Sequence, residues 1–482
     1  MSRSIESGIS RGEIISYGAT GGIVTGSCNR ANIKDSSIVV DYGMFQKDGE
    51  KNNFVPAQEI LKGSTDLLFT HVHLDHIGLA PKIVGEGLDI RILVTENTAA
   101  FMDTVLYNSA DIQREKPHKN RLYSPSNVQK MFQHMEVAPV FEPIPIGEKR
   151  DNITAEFLPN GHVVGSSSIF IRNEDKKYNE HNILFTGDIG KPNQSICGGY
   201  LDYADRYPID PVNILVTEST NFNREPVSFK EKETNFLNAI NQVWENGGNP
   251  LLPVLSFHRL PEILEILHHN QGGRIPNDCQ IFIDAPLGVS LLDKLEDFRP
   301  DQLSERYGDN PNFYKTEKES LDRFVTANTT IINSHDESVN NSNLLTNYRG
   351  KAIIIASGGM GEHGRSINYL KGSFCRNPKN TVIFTCYQVE GTPGYKLVNQ
   401  KRILNGSVAG AQVFQIDGFT SHISGPQETF DFLYRFNLDE LHTVIINHGQ
   451  DSARLAMAEE FKRRGVGKNI ILPSLNQRIS LY

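Results

Sequence analysis

An α/β architecture in two domains is what this sequence predicts, on three observations. Its 482 residues exceed what one hydrophobic core ordinarily organises. Short β-branched runs alternate with helix-length amphipathic stretches along the chain, and most runs are bounded by Gly, Asn, Asp or Pro. Hydrophobic residues make up 38% and charged residues 22%, the balance of a folded globular chain rather than a disordered one.

In chain order, the strand candidates are SIVVD (37–41), DLLFT (66–70), IRILVT (90–95), SSIFIR (167–172), NILFTGD (182–188) and NILVTES (213–219). Then come NPLLPVLS (249–256), QIFIDA (280–285), KAIIIAS (351–357), NTVIFTCYQ (380–388) and LHTVIIN (441–447). Apolar residues near a 3.6 period predict helices over 98–114, 124–135, 228–246, 260–269, 289–297, 426–435 and 451–464. Polar, turn-rich stretches at 173–181, 298–320 and 334–348 predict long connections. No internal repeat or heptad run is visible, which removes solenoids and coiled coils.

The N-terminal segment has no apolar h-region and the longest apolar runs are strand-sized, so a soluble, cytoplasmic chain with no membrane association is expected. Five scattered cysteines form no disulfide framework or zinc knuckle and read as reduced core thiols. A net charge of −9 gives no bulk attraction to nucleic acid. Local positive charge is enough for an enzyme that grips phosphate with metal ions, and Arg114, Lys116, His118, Lys119 and Arg121 are one source of it.

The chemistry concentrates after DLLFT, where His71, His73, Asp75 and His76 put four metal-ligand side chains within six positions. Alternation at the strand end would throw His71 and His73 to one side, and the following turn would bring Asp75 and His76 round to face them. Imidazole with carboxylate suits zinc or a similar first-row ion. Six positions cannot close two coordination spheres, so further ligands are expected at other strand ends: His162 in GHVVGSSS, Asp188 in ILFTGDIG and His448 in VIINHGQD.

The order HxHxDH, GH, GD and a late histidine resembles the metallo-β-lactamase fold, an αββα sandwich. YGATGGIVTGSC (17–28) and SIVVDYGMFQ (37–46) are similar to the first strands of its RNA-processing members. The resemblance implies that His71, His73 and His162 hold one metal, Asp75, His76 and His448 the other, and Asp188 bridges them. Asp41 would steady the ligand loop from behind. Two zinc ions are implied, with manganese as a substitute.

About half the chain lies between Asp188 and His448, and this insert resembles the α/β β-CASP domain of nucleic-acid-processing nucleases. The domains implied are a first metallo-β-lactamase part at 1–209, β-CASP at 210–398, and a second metallo-β-lactamase part at 399–482. The likeness rests on VTEST (216–220) with Glu218, LPVLSFHRLPEILEIL (252–267) with Arg259, IFIDAPL (281–287), IASGGMGEHGRSINYL (355–370), NTVIFTCYQVEGTPG (380–394) and IDGFTSHISG (416–425) with His422. It implies hydrolysis of single-stranded RNA, by endonucleolytic or 5′-to-3′ exonucleolytic cleavage, in RNA processing or decay. The late histidine His448 favours RNA over DNA. Single-stranded RNA is the expected partner, and a homo-oligomer and membership of an RNA-processing complex are both compatible with the resemblance.

A phosphodiester and hydroxide are both anionic, so two cations are needed to neutralise one and supply the other beside Asp188. The departing alkoxide needs a proton, assigned to His422, with Glu218 fixing its tautomer. Asp75 and Asp188 complete the catalytic set. Ser357, Gly358 and Gly359, read as a turn opening a helix, and Arg259 are expected to bind phosphate. Ser424 and Gln450 stand where the family pattern has acidic residues, Asn221 and Phe222 replace Tyr-Gly, and Tyr395 replaces a basic residue. The rivals are a DNA-directed relative and a catalytically silent scaffold subunit; scaffolds have lost ligands, and this chain keeps all seven.

Overall fold

The β-branched runs become strands of three sheets in a computed structural model, which describes residues 12–173, 181–194, 196–297, 328–401 and 408–481. Met1–Glu225 and Ser421–Tyr482 form one compact unit, and Pro226–Thr420 the other. Those limits lie beyond the 210 and 398 read from sequence, and strand pairing explains why. Ile214–Thr217 sits between Ile183–Phe185 and Thr443–Ile446, parallel to both, inside the first unit's sheet. Gln412–Gln415 pairs with Thr381–Phe384 in the second unit.

The first unit holds two seven-stranded sheets. One runs Gln477–Ser480, Glu13–Ser16, Asn29–Ile33, Ser36–Val40, Asp66–Leu68, Arg91–Thr95, Met135–Ala138. The other runs Asn469–Ile471, Thr443–Ile446, Ile214–Thr217, Ile183–Phe185, Ser167–Asn173, Ile153–Pro159, Ile144–Ile146. In each, three antiparallel pairings give way to three parallel ones. The parallel strands Asp66–Leu68, Ile183–Phe185, Ile214–Thr217 and Thr443–Ile446 are buried throughout, and each one's C-terminal end leads into a predicted ligand or acidic motif.

The second unit is a six-stranded, all-parallel sheet in the order Thr329–Ile331, Gln280–Asp284, Ala352–Ser357, Pro250–Val254, Thr381–Phe384, Gln412–Gln415. A parallel sheet must be covered on both faces, and alternation along Ala352–Ser357 does this. Ile353 and Ile355 pack with Phe236, Ile240 and Val243 of the helix Phe229–Glu245, whereas Ile354 and Ala356 face Tyr369, Leu370 and Phe374. Each fully buried aliphatic or aromatic side chain contributes about 1.5–3 kcal/mol.

One predicted connection is structured. Residues 334–348 hold a helix, His335–Leu344, because Ser334 and Glu337 cap each other's backbone N–H groups. The stretches 174–180 and 298–320, read as connections, lie outside the described residues. Among the described residues no helix is long and apolar enough to cross a membrane, and the five cysteines are free, four of them buried.

Candidate metal centre

The strand Asp66–Leu68 stops early because Thr70 N donates to the Asp41 carboxylate (2.9 Å) instead of a neighbouring strand. The loop that follows brings His71 and His73 together, so it is the loop and not strand alternation that aligns them. His73 Nδ1 lies 3.0 Å from His71 Nε2 and 3.2 Å from His162 Nε2. Asp188 Oδ2 is 3.6 Å from the Nε2 atoms of both His71 and His162. On the other side, His76 Nε2 and His448 Nε2 are 3.1 Å apart, and Asp188 Oδ1 is 3.4 Å from each. Asp75 Oδ2 closes that set, 3.6 Å from His448 Nε2.

These spacings fit cations. Four ligands at about 2.1 Å in a tetrahedron stand about 3.4 Å apart, and both donor sets cluster around that value. Among the described residues the buried Asp188 Oδ1 meets no hydrogen-bond donor of ordinary geometry. The donor chemistry, imidazole and carboxylate without thiolate, suits a divalent first-row ion.

The outward nitrogens of three rings are held. His71 Nδ1 is 3.0 Å from Thr70 Oγ1, His76 Nδ1 is 2.7 Å from Asp41 Oδ2, and His448 Nδ1 is 3.1 Å from Thr220 Oγ1. Such partners fix the tautomer and turn the Nε2 lone pair inward. The turn bearing His162 is tied to the Asp188 loop by Asn160. Its Nδ2 donates to Thr186 O and Asp188 O at 2.9 Å, and its Oδ1 accepts from Ser166 Oγ at 2.7 Å. Gly161, at φ +74, has no room for a side chain: a Cβ would lie 2.7 Å from Tyr200 N.

Burial sets the charge states against nearby carboxylates. It holds His71 well below the ordinary imidazole value and His73 at about 4, so both favour the neutral, ligating form. Burial works the same way on His76 and His448, but Asp188 with Asp41 or Asp75 outweighs it and raises both. Burial pushes Asp75 upward, yet its hydrogen bond with His448 brings it to about 2. Two carboxylates, Asp75 and Asp188, thus lie where the donor sets converge.

His422 stands beside this cluster. Its Nδ1 is 3.1 Å from both oxygens of Glu218, while its Nε2 lies 3.8 Å from Asp188 Oδ2. Glu218 is fixed in turn by N–H donors from Ile189 (2.5 Å) and Thr220 (3.1 Å). Burial lowers His422, but Glu218 and Asp188 more than offset it and bring it up to about 9.

Thr70, Thr220 and Asn160 are the residues that sequence reasoning missed. Thr70 precedes His71 directly and Thr220 ends the VTEST motif, so adjacency was the available signal.

The metallo-beta-lactamase superfamily model matches residues 26–220, and the Beta-Casp domain model matches 260–397. The chain belongs to the β-CASP branch of the metallo-β-lactamase superfamily. Similar proteins include Ribonuclease TTHA0252 of Thermus thermophilus, 26% identical over 92% of this chain and 94% of that one. RNase aCSPSF2 of Saccharolobus solfataricus is 27% identical over 93% of this chain and 81% of its own. A solved protein of unknown function from Enterococcus faecalis shares the fold, with a TM-score of 0.55 and 14% identity over 97% of this chain and 99% of that one.

In this β-CASP protein the expected phosphate-binding residues are placed differently from the expectation. Arg259 is 5% exposed and its guanidinium contacts Glu262, so it is committed to an internal ion pair rather than offered to phosphate. The Ser357–Gly358–Gly359 turn does not open a helix; the helix begins at Ser366 and runs only to Lys371. Gly358 N donates to Val254 O at 3.0 Å, which takes one of the N–H groups expected to face phosphate. Of the basic stretch, Arg114 pairs with Asp111 and Arg121 donates to the carbonyls of Arg114 and Lys116; Lys116, His118 and Lys119 are exposed. Where the family pattern has an acidic residue, the Ser424 N–H donates to Glu428 (3.1 Å), so a carboxylate reaches that turn from four residues on.

Proposed function

We propose that this protein hydrolyses phosphodiester bonds of single-stranded RNA, using two divalent cations, zinc or in its place manganese. The observation that carries the reading is Asp188, which presents one oxygen to each of two imidazole sets, 3.4 Å from one and 3.6 Å from the other. His71, His73 and His162 would hold one ion, Asp75, His76 and His448 the other, with Asp188 shared. Such a pair, when bound, supplies Lewis-acid neutralisation of phosphate charge and acidifies water.

The chain's own residues account for the rest. Water adds its oxygen to phosphorus and releases a proton to solvent, and the P–O3′ bond breaks with its electron pair on O3′. His422 Nε2 gives O3′ its proton, leaving a 3′-hydroxyl and a 5′-phosphate. Glu218 holds the ring by Nδ1, keeps it protonated, and so keeps the donor nitrogen toward the reacting atoms. Asp41, Thr70 and Thr220 hold ligand rings in the tautomer that ligates.

RNA is favoured because Ribonuclease TTHA0252 and RNase aCSPSF2 match more than nine-tenths of the chain. Cytoplasmic placement, and membership of a homo-oligomer or an RNA-processing complex, belong to the same proposal. The test incubates matched 5′-labelled RNA and DNA single strands with metal-loaded protein. RNA should be cut to 3′-hydroxyl products, and His422→Ala should slow this by about 100-fold or more. Cleavage of DNA alone, or undiminished cleavage by the variant, would overturn the assignment.

A further inference from the structure

The first unit carries a basic loop that the reaction above does not use. From Asp111 to Arg121 four cations stand against two carboxylates, in a chain whose net charge is −9. Arg114 is paired with Asp111 at 3.1 Å, and Arg121 lies on carbonyl oxygens. Among the described residues no ion pair or hydrogen bond holds the ammonium groups of Lys116 and Lys119, and both side chains are exposed. Like charges kept close without a counter-charge repel one another, and an arriving anion removes that cost.

The loop keeps its shape without those two side chains. Arg121 Nη2 donates to Arg114 O (2.8 Å) and its Nε to Lys116 O (3.0 Å), which satisfies carbonyls at the end of the helix Glu96–Arg114. Leu122 N donates to Oε1 of the buried Gln113 at 2.7 Å, and the hydroxyls of Tyr123 and Ser109, both buried, are 2.8 Å apart. Asn120 N donates to Pro117 O at 2.8 Å. These ties run through backbone, Arg121 and the buried residues behind the loop, so the two lysines stand outward on a pinned base.

The other end of the same helix is fixed to the metal centre. Thr95, its N-cap, donates from Oγ1 to Gly165 O at 2.8 Å, and Thr98 Oγ1 donates to the same oxygen at 2.9 Å. Gly165 belongs to the turn that carries His162, whose N–H donates to Ser166 Oγ at 3.0 Å. At φ +82 a Cβ on Gly165 would lie 2.5 Å from Thr98 N, so turn and helix meet backbone to backbone. Nineteen residues at a rise of about 1.5 Å then set the basic loop about 28 Å from that turn, within one compact unit. A stacked single strand covers that length in about eight nucleotides at about 3.4 Å each, and a bent path takes more.

We propose that Lys116 and Lys119 grip the phosphate backbone of the RNA strand about eight or more nucleotides from the bond that is cut. This rests on the reading of the metal centre as an RNA-cleaving site. Phosphate contacts of this kind place a strand without selecting its sequence. The loop therefore adds affinity for long strands and leaves the chemical step alone.

The test compares wild type with the double variant Lys116→Gln, Lys119→Gln on RNA strands of about five and about 25 nucleotides, the shorter being unable to reach the loop. On the long strand KM should rise about tenfold or more at about 0.1 M salt with kcat unchanged, and the slope of log KM against log salt should fall by about 1.4, about 0.7 for each lost phosphate contact. On the short strand both constants should match wild type, and so should the melting midpoint. Lys116→Arg with Lys119→Arg, which keeps both charges, should restore long-strand KM. An unchanged KM or salt slope on the long strand would overturn the proposal, as would equal losses on both strands. Wild-type protein that leaves RNA of either length uncut would instead sink the functional reading.

Discussion

Replacing Asp41 by asparagine should weaken one cation site while sparing the fold. Asp41 is 1% exposed; one oxygen takes Thr70 N–H (2.9 Å), the other takes His76 Nδ1–H (2.7 Å), and Thr70 Oγ1 lies 3.0 Å from both. In Asp41→Asn the carbonyl can keep Thr70, but the amide N–H₂ then faces His76 Nδ1. The ring relieves that clash by moving its proton to Nε2, the atom meant to ligate. Binding a cation forces the proton back against the amide and forfeits a charge-assisted hydrogen bond, worth about 1.5–3 kcal/mol. At about 1.4 kcal/mol per decade, the affinity of the site built on Asp75, His76 and His448 should fall roughly 10–100-fold. Asparagine tolerates the +63° φ at this position, so the melting midpoint should stay close to wild type. Competition with a fluorescent zinc chelator would resolve the two affinities. Unchanged affinity for both equivalents would refute the tautomer argument.

Other expectations follow from packing and burial. Gly161→Ala forces a Cβ to 2.7 Å from Tyr200 N at φ +74 and should cost about 1–3 kcal/mol, read as a lower midpoint in thermal melts; an unchanged midpoint would contradict it. Ser334→Ala removes the hydroxyl that accepts from Glu337 N and should destabilise the second unit by about 1 kcal/mol in urea titrations, with no effect on metal content. Burial raises Asp284 above the ordinary carboxyl value, with Ser338 and Tyr369 opposing only in part. A raised folded-state pKa contributes stability below the unfolded value, and that contribution is lost as pH rises through the folded one. The stability of Asp284→Asn relative to wild type should therefore grow between pH 4 and pH 7, and a difference independent of pH would count against it.

The parts of the site that lie on contiguous sequence were legible before any coordinates. His71, His73, Asp75 and His76 announce themselves because few structural roles need four ligand side chains in six positions; Asp188 and His448 follow apolar strands that locate them, and His162 lies in a Gly-flanked turn. All eleven strand runs appear: nine are trimmed by one to five residues, SIVVD shifts one residue toward the N-terminus as Ser36–Val40, and SSIFIR gains one residue as Ser167–Asn173. What escaped was set by tertiary partners. Thr70 and Thr220 act through hydroxyls whose worth depends on which ring they meet. Arg259 looked like a phosphate ligand because sequence cannot show that Glu262 and Phe419 occupy its guanidinium. The Ser357–Gly358–Gly359 turn carries helix-start composition, but Gly358 N closes onto Val254 O and the helix waits until Ser366. The short edge strand Gln477–Ser480 pairs with Glu13–Ser16 from the far end of the sequence, beyond the reach of local patterning.

Metal content per chain is the decisive quantity. Plasma emission on dialysed wild-type protein should find two equivalents of zinc or manganese, and Asp188→Ala, which takes an oxygen from both donor sets at once, should lose both. A single equivalent in the wild type, or two retained by the Asp188 variant, would contradict the shared-carboxylate arrangement.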